Sequence, residues 1–136
     1  MNSRADRINR IATILKLQYR IAEWKLVQLR QREMELQDRE AYLIEALNDQ
    51  QPLKGVSSEA IARRLTTTSV SARAVHALAE DQRDQLRAEG RRLKAMERIA
   101  EATSEAERRD AEKRLLKELT DALAAKSVGH AKLRWN

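Results

Sequence analysis

The chain has no cysteine and no phenylalanine, one proline, three glycines, two tryptophans and two tyrosines in 136 residues. The absence of cysteine excludes disulfides, thiol chemistry and Cys-ligated metal, and fits a cytoplasmic protein. With so few glycines and prolines, the turns of a multi-stranded β fold cannot be supplied. Poverty in aromatics disfavours a compact core built around a ligand, and with it a globular enzyme. No apolar run approaches the roughly 18 residues that mark a membrane span. Met1 to Arg10 lacks the apolar stretch of a secretory signal. The length suffices for one domain and not two.

What the chain does contain is helix-forming and charged. Ala, Glu, Lys, Leu and Arg make up 79 of the 136 residues, above the roughly half share that marks a coiled coil or long helix. The net charge is +6, from 27 basic and 21 acidic residues. Much of the excess lies in residues 1–25, where Arg4, Arg7, Arg10, Lys16, Arg20 and Lys25 oppose only Asp6 and Glu23. Such a basic end suits an acidic surface. Arg4, Arg7, Arg10 and Lys16 are the candidate contact residues. They are too dispersed for a dense nucleic-acid groove, and Tyr19 and Trp24 lie on different helix faces.

The only proline is Pro52, which no helix interior tolerates, and Gly55 follows it as a flexible turn position. Ser57 is placed to cap a new helix, with Glu59 on the favourable side of its dipole and Val56 and Ile61 at staple spacing. The expected order is helix one over about 4–48, a turn at 49–57, helix two over about 58–126, and a flexible tail at 127–136 with Gly129 ending the helix. Ser104 and Glu107 have capping-box spacing, so a kink is expected near 101–107.

Both helices carry heptads. On helix one, Ile8, Leu15, Ala22, Leu29, Leu36 and Leu43 recur every seventh residue, and Ala12, Tyr19, Leu26, Glu33, Glu40 and Leu47 lie four further on. Helix two repeats Leu65, Ala72, Ala79, Leu86, Leu93 and Ala100, with Ile61, Thr68, Val75, Gln82, Glu89, Met96 and Thr103 as companions. Folding back at the turn pairs residues whose numbers add to about 108, such as Leu43 with Leu65, Leu29 with Ala79 and Leu15 with Leu93. Large often faces small in this register, as at Leu29 and Ala79, and Gly90 makes room for the ring of Tyr19. The expected fold is all-α: a long antiparallel two-helix coiled-coil hairpin with a C-terminal helical extension. Glu33, Glu40, Gln82 and Glu89 break the seam, and their long side chains are expected to snorkel outward.

Two apolar stripes are left over. Ile14, Leu17, Ile21 and Trp24 follow 3, 4, 3 spacing on the side of helix one away from the seam. Leu115, Leu119 and Leu123, with Ala111, Leu116 and Ala122, form a second stripe beyond the end of helix one. Both are candidate partner-binding surfaces. His76 and His130 have no neighbouring ligand at metal spacing, no glycine-rich phosphate loop is present, and a two-helix hairpin offers no water-excluding pocket. Neither catalysis, a metal nor a cofactor is expected.

The basic first helix, short turn, longer second helix and total length resemble the flagellar FliJ and injectisome YscO family of export proteins. Arg4-Ala5-Asp6-Arg7-Ile8-Asn9-Arg10-Ile11 and Glu40-Ala41-Tyr42-Leu43-Ile44-Glu45-Ala46-Leu47 carry the resemblance, and the nearly seamless stretch Glu101–Arg114 departs from it. The resemblance implies an antiparallel coiled coil like the central stalk of a rotary ATPase. It implies an export ATPase, an export gate and export chaperones as partners, and a cytoplasmic location peripheral to the inner membrane. On the residues themselves, with Arg interleaved with Glu and no base-reading motif, neither a small-molecule substrate nor nucleic acid is expected. The other reading is a structural coiled coil that oligomerises through its leftover stripes, with nucleic acid at its basic end.

Overall fold

The computed structural model describes residues 3–49 and 55–134, with side chains described as far as Gly129. Pro52 of the expected turn and Trp135 of the expected tail lie outside the described residues. Among those described, all regular structure is helical: α1, Arg4–Asn48, and α2, Ser58–Arg134. The two long helices pack against each other.

Each helix starts where its sequence provides a cap. At α1 the Ser3 hydroxyl accepts a hydrogen bond from the Asp6 amide at 3.1 Å, and the Asp6 carboxylate accepts from the Ser3 amide at 3.4 Å. Two of the amides that a helix start leaves without partners are thereby satisfied. At α2 the Ser57 hydroxyl accepts from the Ala60 amide at 3.1 Å. Gly55 just before it has φ +82°, a conformation that glycine adopts without strain. The threonine run of α2 stays helical, with the Thr66 and Thr67 hydroxyls each donating to the carbonyl four residues back at 3.1 Å.

Two expectations about α2 change. The helix does not stop at Lys126 but continues through Gly129 to Arg134. Gly129 does not take the left-handed conformation that terminates helices, so it costs helix propensity, about 1 kcal/mol relative to alanine, without ending the helix. Nor is there a restart at 101–107, where helix is unbroken. Glu107 does not cap its own helix; its carboxylate accepts a hydrogen bond from the Ala5 amide on α1 at 3.1 Å. That amide belongs to the first turn and has no partner within α1.

The chain divides into two compact units, residues 14–93 and residues 1–13 with 94–136. In the 14–93 unit every heptad position from Leu15 to Leu47 and from Ile61 to Leu93 is buried or half-buried. Its driest points are Ala79, Ile61, Leu36 and Ala22, the first with no exposed surface. Alanines there let the helices approach while Leu and Ile fill the space between them. Gly90 serves the same end. A methyl group in its place would stand 3.2 Å from Cε2 of Tyr19, so the glycine accommodates that ring. In the other unit Ala5 and Ala100 are buried, and Ile8, Ala12, Met96 and Thr103 are half-buried.

Candidate interaction surfaces

The seam positions of the 14–93 unit face inward, so a residue half a turn away must face out. Ile14, Leu17, Ile21 and Trp24 do so, at 55, 53, 55 and 61% exposure. Val27 is also exposed but lies to one side of this stripe, whose 3, 4, 3 spacing continues to Gln28. Four large apolar side chains in register on a solvent face form a patch and not a scatter.

Polar residues inside the seam behave differently from expectation. Glu33 does not snorkel: it is 7% exposed, and two partners hold it inside. Its Oε1 accepts from His76 Nδ1 at 2.6 Å and its Oε2 accepts from Arg30 Nη1 at 2.9 Å. Arg30 reaches on to Glu80 at 2.8 Å, and Arg83 takes the other oxygen of Glu80 at 2.8 Å. His76, which looks solitary in the sequence, thus belongs to a chain of hydrogen bonds and ion pairs spanning both helices. The signal for it lay in the facing register, which sets Glu33 opposite Val75 and so beside His76. Gln82 does not snorkel either; its amide donates to the Ala22 carbonyl at 3.1 Å. Glu89 keeps one carboxylate oxygen, Oε2, buried with no hydrogen-bond partner among the described residues.

These contacts set a pH dependence. The hydrogen bond from His76, then that from Arg30, holds the Glu33 carboxyl below the ordinary glutamate range. The Arg30 bond lowers Glu80 in the same direction. A carboxyl depressed on folding stabilises the fold above its unfolded pKa, roughly 4.3, and loses that contribution as pH falls through the folded value. Stability should therefore be lost only below the usual glutamate range. Glu33→Gln should be less stable than the wild type at pH 7, and the gap should narrow as pH falls below the usual glutamate range. Urea midpoints followed by helical circular dichroism across this range check both statements; a constant gap at every pH would contradict them.

Nearer the start of α2 the helices leave an open groove of about 550 Å³ lined by Arg39, Tyr42, Leu43, Arg63, Arg64, Thr67 and Thr68. Its lining has no carboxylate, histidine or cysteine, and Arg63 is already engaged by Glu59 at 2.7 Å. No group of three or more His, Cys, Asp or Glu that could hold a metal occurs among the described residues, and no described helix is long and apolar enough to cross a membrane.

In the other unit, Arg4, Arg7 and Arg10 are exposed, as is Lys16 in the 14–93 unit. Leu115, Leu119 and Leu123 are exposed at 56, 53 and 68%. Every described side chain from 108 to 129 is exposed, so none of the described residues covers that stripe. No protein-family model, curated protein or solved structure matches this chain.

Proposed function

We propose that the chain is an antiparallel two-helix coiled coil with a C-terminal helical extension. It acts without catalysis, as an adaptor or stalk of a bacterial type III protein-export apparatus, engaging the export ATPase and the export gate or chaperones. The observation that carries the adaptor reading is the face formed by Ile14, Leu17, Ile21 and Trp24. The seam behind it is filled from within the chain, yet this second apolar face stays in solvent. A face unnecessary for packing and carrying a tryptophan suits a protein partner, since interface anchors favour Trp. The export system as the setting rests on the resemblance of the two quoted segments. Stimulation of an export ATPase by the purified chain tests it.

The antiparallel register is supported by the order of contacts in the 14–93 unit. Tyr19, Ala22, Arg30 and Glu33 lie against Gly90, Gln82, Glu80 and His76 respectively, descending along α2 as α1 ascends. The chain has no cysteine of its own, so Leu29→Cys with Ala79→Cys gives a clean test. Oxidation should close an intrachain disulfide between these facing positions. Crosslinks only between chains would mean an open helix dimer and would sink the register.

A further inference from the structure

We propose that the exposed leucine face of α2 at residues 112–126 binds a second copy of the same chain, antiparallel, with Leu119 on the two-fold axis. The inference is independent of the export reading. After Glu107 every described side chain of α2 is exposed as far as Gly129, yet the helix is unbroken. A helix of this kind draws its stability from covering an apolar face, and none of the described residues covers this one.

The face is self-complementary when reversed. At about 100° per residue, Leu115, Leu116, Ala122 and Leu123 lie within about 60° of Leu119, while Glu112 and Lys126 lie about 20° from its centre line. Reversal about Leu119 sets Leu115 against Leu123 and Leu116 against Ala122, each twice, and Leu119 against itself. It also sets Glu112 against Lys126 at both ends. Each residue of one copy thus meets a complement on the other, as a two-fold interface requires. A parallel partner would instead oppose Glu112 to Glu112 and Lys126 to Lys126, placing like charges together at each end. Glu112 is free to turn to the partner, because its contact with Arg108 on its own helix is long, at 4.0 Å. Five apolar side chains per copy make a small interface, so the dimer is reversible and concentration-dependent.

Sedimentation equilibrium of the full chain, from micromolar to near-millimolar concentration, tests this. A monomer–dimer equilibrium is expected. Leu119→Glu should abolish it while leaving the helical circular dichroism intact. Glu112→Lys and Lys126→Glu should each raise the dissociation constant about tenfold, and the two combined in one chain should restore it. On oxidation, a mixture of Glu112→Cys and Lys126→Cys chains should form a mixed disulfide, and Glu112→Cys alone should not crosslink. A monomer throughout the range, association indifferent to Leu119→Glu, or efficient linkage of position 112 to itself would each overturn the proposal.

Discussion

Replacing Ile61 with alanine is expected to cost about 2–5 kcal/mol, among the largest losses from any single truncation in the 14–93 unit. Among the described residues of that unit Ile61 is the most buried large side chain, at 1% exposure. It sits four residues past the Ser57 cap, where the second helix enters the seam. Truncation removes three buried carbons beside a backbone pinned by that cap, so the cavity collapses poorly. Leu43→Ala, at a position 8% exposed, should fall in the same range. Leu86→Ala should cost less, because Leu86 is only half-buried. Urea unfolding of the three variants followed by helical circular dichroism gives the ranking. An equal loss at all three sites would mean that burial along the seam does not set the energetics.

The largest functional effect is expected at the outer face of α1. Trp24→Ser with Ile21→Ser should leave the unfolding midpoint nearly unchanged, because both side chains are more than half exposed. The same pair should abolish stimulation of an export ATPase, since removing a tryptophan anchor and its neighbour commonly costs an interface several kcal/mol. Reversing Arg7 and Arg10 to Glu should act differently. Exposed charges govern encounter more than the final contact, so the apparent affinity should drop most at low salt. Cooperative loss of helix in the Trp24 and Ile21 variant would show that the stripe is core. Full stimulation by that variant would remove the face from the proposed function. Oligonucleotide binding tighter than about micromolar at ~0.15 M salt, lost on the Arg7 and Arg10 reversal, would favour nucleic acid as the partner of the basic end.

The seam was legible because a helix repeats its faces on a fixed period. Leu15 to Leu47 and Ile61 to Leu93 could be counted as heptads, and all of them are buried or half-buried. The exposed stripe from Ile14 to Trp24 follows from the same count. The caps at Ser3 and Ser57 are local hydrogen bonds within three residues; that at Ser57 was read from its neighbours, whereas Ser3 went unnoticed although Asp6 stands three residues after it. Period says nothing about where a polar side chain in the seam goes. Glu33, Gln82 and Glu107 were each free, by their length, to reach water. What decides their course is a partner on the other helix: His76 for Glu33, the Ala22 carbonyl for Gln82, the Ala5 amide for Glu107.

The same division separates what local composition determines from what packing decides. Helical content, the two caps, the apolar faces and the basic bias of residues 1–25 follow from the amino-acid sequence alone, because each depends on neighbours within a turn or two. The burial of Glu33 and the chain of hydrogen bonds and ion pairs from His76 through Glu33, Arg30 and Glu80 to Arg83 are tertiary outcomes. A buried carboxylate is tolerable only where another segment brings hydrogen-bond donors to it. That condition is not written in the residues adjacent to Glu33; it depends on the second helix arriving in register.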